Sequence, residues 1–245
     1  MRPKIVLIRG LFRGKFHWGA FLEHLKATFP DKQILCLDIP GVGEKTSELS
    51  PCSIEGMVES LRTQLDLTTP VDVVSISMGG MIGLKWAEMY PSEIGRLVCI
   101  NTSSRGASPF YYRLKPNNYV NLLLSLIVSA PTRELLNYQM LSNQALRQDI
   151  LDAWILLEQK YPMRKVNFFR QLYAAMWFKA TLPECELFFV SSTQDSMVDY
   201  RATQALAKQW NANLIINEQD GHDIPLDNPI WLCEKLSHCF NRERG

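Results

Sequence analysis

Apolar residues gather in short runs along the chain, at 5–8, 34–38, 71–77, 97–101, 187–191 and 214–216. Most are too continuously apolar for a strand with one wetted face, so they predict the buried strands of a mostly parallel sheet. Between the runs, apolar positions return every three or four residues over 18–29, 53–67, 78–90, 201–210 and 229–240, the period of a helix with one buried face. Strand and helix alternate, which predicts an α/β architecture of about six strands with helices on both faces.

One stretch breaks the alternation. From 105 to 180 no strand pattern appears, and apolar residues such as Val120, Leu123, Leu124 and Ile127 fall at helical spacing. The expected division is therefore a core of 1–104 and 181–245 with a helical cap at 105–180, inserted after the fourth strand. Such a cap would lie over the carboxyl edge of the sheet, where open α/β sheets bind ligands.

The formal net charge of +1 gives no global reason to expect nucleic acid or a membrane surface as partner, and 47% hydrophobic with 21% charged residues is ordinary for a globular protein. The apolar run at 122–130 is interrupted by Ser125 and Ser129 and falls far short of the ~20 residues of a membrane span. The chain opens with Met1-Arg2-Pro3-Lys4 and then an apolar run, without the pattern of a signal peptide, so a cytoplasmic protein is expected. The six cysteines form no CxxC pair and read as reduced structural thiols.

The chemistry is concentrated in Val71-Asp-Val-Val-Ser-Ile-Ser77-Met-Gly-Gly80. This reads as a strand, a turn of small residues and a helix, with Ser77 at the turn. A serine there has its hydroxyl lifted above the sheet edge, and Met78 presents its backbone N–H at a helix N-terminus, where negative charge is stabilised. A serine hydroxyl needs a base to take its proton and a carboxylate to orient that base.

At these residues the sequence resembles the α/β-hydrolase family, whose elbow reads Gly-x-Ser-x-Gly; Ser75 stands here for the first glycine. The resemblance extends through Arg9-Gly10, Trp18, Asp38-Ile-Pro-Gly-Val-Gly43 and Tyr90-Pro91. It implies a catalytic histidine at His222, in the polar loop before the last helix, and a catalytic acid at Asp195, after the fifth strand, with Asp199 as the alternative. The order serine, acid, histidine is the family's. The resemblance also implies an oxyanion hole from the backbone N–H groups of Leu11 and Met78. His17, His24 and His238 are expected at the surface.

Two features depart from the family pattern. Arg9 replaces the usual histidine before Gly10, and the chain starts too close to the first strand for the antiparallel strands many relatives carry. The run Gly41-Val-Gly-Glu-Lys-Thr46 imitates a phosphate loop but lacks its third glycine, so no nucleotide site is expected, and no metal-ligand spacing occurs. The expected chemistry needs no cofactor.

Residues 105–180 hold ten basic and four acidic side chains, a charge of +6 against −5 for the rest. Arg9, Arg13 and Lys15 add positive charge beside the expected site, which suggests an anionic substrate or one carried on an acidic protein. Phe110, Tyr111, Tyr112, Trp154, Phe168, Phe169, Trp177 and Phe178 could either line an acyl pocket or pack the cap helices together. The reading is a serine hydrolase that cleaves a carboxylic ester or thioester through an acyl-enzyme on Ser77. The carrier-protein methyl ester esterases of biotin synthesis are one similar group. A carbon–carbon hydrolase or lyase on the same fold, and a non-catalytic binding protein on a hydrolase scaffold, are the alternatives.

Overall fold

The computed structural model describes residues 2–241. Its strands are β1 Lys4–Ile8, β2 Gln33–Leu37, β3 Val71–Ile76, β4 Ile94–Ile100, β5 Glu186–Ser192 and β6 Asn213–Asn217. They form one six-stranded sheet in the order β2-β1-β3-β4-β5-β6, and every pairing is parallel. The chain runs outward from β1 to β2 and then returns to place β3 on the other side of β1. That reversal opens a crevice beyond the carboxyl ends of β1 and β3, where Arg9-Gly10 and Ser77 emerge.

The continuous apolar runs have the cause expected of them, since β1 and β3 are covered on both faces. Val6, Ile8, Val71 and Val73 pack with Met57 and Leu61 of α2 Ile54–Arg62 and with Ile82 and Trp86 of α3 Met78–Met89. On the opposite face, Ile5, Leu7, Val74 and Ile76 pack with Phe21 and Leu25 of α1 Ala20–Thr28 and with residues from the last helix of the chain. Each such fully buried side chain contributes on the order of 1.5–3 kcal/mol of transfer free energy. Helix α2 ends at Arg62, short of the expected 67. Gln64 and Leu65 donate to carbonyls three residues back, which tightens the helix end, and Leu65 and Leu67 reach the core from the following loop.

Between β4 and β5 the described residues form no strand but five helices, α4 Phe110–Arg113, α5 Tyr119–Leu124, α6 Ala130–Leu141, α7 Gln148–Lys160 and α8 Lys165–Trp177. Helix α5 carries apolar residues on more than one side. Leu122 and Leu126 point inward against Met140 and Phe168, and Val120, Leu123, Leu124 and Ile127 are exposed. After Leu124 the chain tightens, with Leu126 and Ile127 donating to Leu123 and Leu124, so the 3.6-residue period drawn through Ile127 does not hold. Helices α9 Tyr200–Trp210, α10 Ile224–Asp227 and α11 Pro229–Asn241 complete the chain. Among the described residues no helix is long and apolar enough to cross a membrane.

Candidate active site

Ser77 sits between β3 and α3 with φ 59° and ψ −123°, a conformation that costs a non-glycine residue on the order of 1–3 kcal/mol. Its surroundings enforce it. The Ser77 N–H donates to Ile100 O at 2.8 Å, and Ser77 O accepts from Gly80 N at 2.9 Å and from Thr102 Oγ1 at 2.8 Å. Small neighbours are needed on both sides. A Cβ at Gly79 would lie 2.6 Å from Arg9 O, and one at Gly10 would lie 2.9 Å from Ser77 Cβ. Ser75, in place of the family's glycine, fits because Gly83 faces it: its hydroxyl donates to Val98 O at 3.0 Å, and a Cβ at Gly83 would come within 3.0 Å of that oxygen.

Asp195 and His222 are both buried, and Nδ1 of His222 donates to Asp195 Oδ2 at 2.6 Å. The other carboxylate oxygen, Oδ1, accepts from Met197 N at 2.7 Å and Val198 N at 2.9 Å. The carboxylate is thus fixed in orientation, and it holds the Nδ1–H tautomer, leaving Nε2 free to accept a proton. Asp199, the alternative acid, instead accepts from Arg201 N at the start of α9 and pairs with the Arg201 guanidinium, which holds its carboxyl below the usual range. Among the described residues no hydrogen bond joins Ser77 Oγ to His222; bonds of this kind often close only when substrate binds.

Several residues that hold the site carry no motif. Asn101, at the end of β4 with φ 47°, donates from Nδ2 to His222 O at 2.7 Å and accepts on Oδ1 from Ser192 N at 2.8 Å. Asn217 donates to Asp220 Oδ2, and Ser192 donates to Asp220 O, which ties the loop before His222 to β5 and β6. The helical insertion reaches both loops as well. Lys115 Nζ donates to Asp195 O at 2.6 Å, Asn118 donates to Ser196 O at 2.6 Å, and Asp223 N donates to Leu141 O at 2.8 Å. Only the αL-tolerant asparagine at a strand end was a visible signal for any of these.

Arg9 has a specific partner. Its guanidinium forms a two-pronged ion pair with Asp223, the residue after His222, and stacks over Trp18 at 4.7 Å, all of it buried. Arg13 pairs with Glu134 of α6 and lies over Trp154, and Lys15 pairs with Glu44. The positive charge expected beside the site from these three residues is therefore neutralised. His17, expected at the surface, packs against Trp154, and burial together with Arg13 and Arg9 pushes its pKa well below the usual value. His24 and His238 are exposed. The glycine-rich loop after β2 clasps Asp38 instead of an anion: Lys15 N and Glu44 N donate to its carboxylate at 2.6 and 3.1 Å, and Gly43 has φ 53° with no room for a Cβ.

A cavity of about 440 Å³ opens onto Ser77, Leu11 and Met78. Asn101 and Thr102 supply its polar floor, and Phe110, Leu122, Phe168, Phe169 and Leu172 are among the residues of its apolar walls. Met78 is the first residue of α3, so its N–H is one of the helix's unpaired first-turn donors and faces the region of the serine. Of the aromatic residues in the insertion, Phe110, Tyr119, Phe168 and Phe169 line this cavity, whereas Trp154 packs against Tyr138 and Trp177 lies under Arg105. Among the described residues no group of three or more His, Cys, Asp or Glu side chains could hold a metal ion.

A family model described as alpha/beta hydrolase fold matches residues 3–123, the segment that carries β1, the elbow and β4. The chain has the α/β-hydrolase fold. It is 24% identical over 253 residues to human monoacylglycerol lipase ABHD6, a match spanning 93% of this chain and 72% of that protein. It is 29% identical over 100 residues to a pimeloyl-[acyl-carrier protein] methyl ester esterase of Neisseria meningitidis, covering 41% of this chain and 36% of that one. Among solved structures, the α/β hydrolase MGS-M2 from a Medee basin deep-sea metagenome superposes with a TM-score of 0.75 at 18% identity, over 100% of this chain and 91% of that one. A thermophilic esterase of Thermogutta terrifontis gives 0.75 at 15% identity, over 96% and 88%. At those identities the structural likeness concerns the fold.

Proposed function

We propose that this carboxylesterase-like α/β hydrolase cleaves carboxylic esters through an acyl-enzyme on Ser77. The observation that carries the reading is the buried His222–Asp195 pair, on loops beyond the same sheet edge as a serine whose strained turn opens into an apolar cavity. Ser77 Oγ attacks the ester carbonyl while His222 Nε2 takes its proton, and Asp195 stabilises the resulting imidazolium through Nδ1–H. The N–H groups of Leu11 and Met78 receive the negative charge on the carbonyl oxygen. The imidazolium then protonates the departing alcohol. A water molecule, deprotonated by the same nitrogen, attacks the acyl-enzyme and releases the acid.

In this reading residues 105–180 form a cap that walls the acyl site and braces both the acid and histidine loops. The cavity's apolar walls favour an aliphatic acyl group, in line with relatives named as lipase and esterase. The expectation of an anionic substrate loses the support of Arg9 and Arg13, which are already paired.

The test is labelling with a fluorophosphonate and a panel of p-nitrophenyl esters of increasing chain length. Mass added at Ser77, absent in Ser77→Ala, is expected. Asp195→Asn should lower kcat about 10⁴-fold, a magnitude taken from the corresponding serine-protease substitution. Asp199→Asn should leave kcat within about threefold, because its carboxylate serves α9 and Arg201. An unlabelled Ser77, or equal losses from the two aspartate variants, would overturn the assignment.

A further inference from the structure

We infer that the outer faces of α5 and α8, around the mouth of the Ser77 cavity, are a docking surface for an anionic phospholipid bilayer. The docking claim stands on the surface itself; the corollary that ester substrates enter the cavity from the lipid rests on the esterase reading above.

The first observation is that both helices expose a run of apolar side chains on their outer side. Helix α8 turns Asn167, Phe168, Gln171 and Ala174 inward, yet Val166, Phe169, Tyr173, Met176 and Trp177 follow one another at helical spacing on the outside, each between 43% and 55% exposed. Helix α5 and the turn after it bury Leu122 and Leu126 but leave Val120, Leu123 and Ile127 at 65%, 61% and 75% exposure. A broad apolar outer face is ordinarily covered, and here the described residues leave it exposed. The effect is local. Of the nineteen large apolar side chains more than a third exposed among the described residues, fourteen lie within 105–180.

The second observation is continuity. Leu123, Phe169 and Met176 belong both to the exposed stripes and to the cavity wall, so an apolar path leads from outside the molecule to Ser77. Tyr173 and Trp177 have the apolar body and polar tip suited to a lipid–water boundary.

The third observation, charge, selects the occupant. Residues 105–133 and 159–183, which carry both stripes, contain nine Lys or Arg and not one Asp or Glu. Arg105, Lys165 and Lys179 are exposed there, Arg105 with its guanidinium stacked on Trp177 at 4.4 Å. An apolar face ringed by cations matches an anionic lipid surface, which takes up the side chains and draws the Lys and Arg residues to its phosphates. A second copy of the chain placed symmetrically on this face would instead oppose like charges.

The experiment is co-sedimentation of the full chain as Ser77→Ala, which leaves lipid intact, with vesicles of phosphatidylcholine alone or with added phosphatidylglycerol. Binding to the anionic vesicles, weakened by salt, is expected. Val120→Ser/Ile127→Ser and Lys165→Glu/Lys179→Glu should each weaken it by about tenfold or more. In the Ser77 background the same changes should leave turnover of a short soluble ester unaltered, since none of these residues lines the cavity. Absence of binding to either vesicle, or binding indifferent to both double substitutions, would overturn the proposal. So would a dimer, seen by size-exclusion chromatography without lipid, that the Val120/Ile127 variant abolishes, because the face would then belong to a second copy. Vesicle binding by a wild-type chain that cleaves no ester would leave the docking surface standing and remove only the esterase reading.

Discussion

Replacing Asp223 by Asn tests whether the Arg9–Asp223 pair is what fixes the histidine loop against the end of β1. Both side chains are buried, and the substitution keeps the shape of the carboxylate and an oxygen to accept from Leu226 N, removing mainly the charge. The Arg9 guanidinium would then be a buried cation facing Trp18 and a neutral amide. Breaking one side of such a pair typically costs about 3–5 kcal/mol, because an uncompensated charge remains. With about 2–4 °C per kcal/mol for a chain of this size, the melting temperature should fall by about 6–20 °C. Arg9→Met alone should cost about as much by stranding the carboxylate. The double variant Arg9→Met/Asp223→Leu should recover most of the loss, since replacing a buried ion pair by apolar residues is often close to neutral. Thermal unfolding of the wild type, Arg9→Met, Asp223→Leu and their double variant forms a double-mutant cycle. Asp223 adjoins His222, so kcat for a soluble ester should fall in the single variants even well below their melting temperatures. A drop of less than about 2 °C in both single variants, or a double variant equal to the sum of the singles, would refute the reasoning.

Other consequences follow from the same geometry. Asn101→Ala strands His222 O and Ser192 N, each at about 1–3 kcal/mol, and should reduce kcat/KM at least about tenfold with slower fluorophosphonate labelling and little change in KM. Gly79→Ala drives a Cβ into the backbone at Arg9, an overpacking cost of about 1–3 kcal/mol that calorimetry should read as a lowered melting temperature. The pKa of His17 is depressed in the folded chain, so its neutral form stabilises the fold above the unfolded value of 6.5, and that contribution is lost as pH falls below it. Between pH 7 and 5 the melting temperature should therefore fall more steeply for the native protein than for His17→Gln; equal slopes would place the acid sensitivity elsewhere.

What the sequence disclosed and what it concealed divide along physical lines. Buried parallel strands leave continuous apolar runs, so all six appeared in the pattern with boundaries displaced by a few residues. The elbow could be read because a strained turn admits only small neighbours, and a Cβ at Gly79 or Gly10 would meet backbone or the serine itself. Asp195 was separable from Asp199 only by resemblance in the sequence, and the geometry separates them by partner: one accepts from His222, the other from Arg201. Charge misled at Arg9 and Arg13, because a count by segment cannot show that their partners stand 214 and 121 residues away. Periodicity marked the segment of Val120, Leu123, Leu124 and Ile127 as helical but left open which way its apolar residues turn. A helical repeat shows which side chains share a face, but whether that face meets protein or something else is decided by elements far along the chain. The inward positions were taken by Leu122 and Leu126, against Met140 and Phe168. That Val120, Leu123, Leu124 and Ile127 are uncovered beside an apolar cavity is what points to an apolar partner outside the fold.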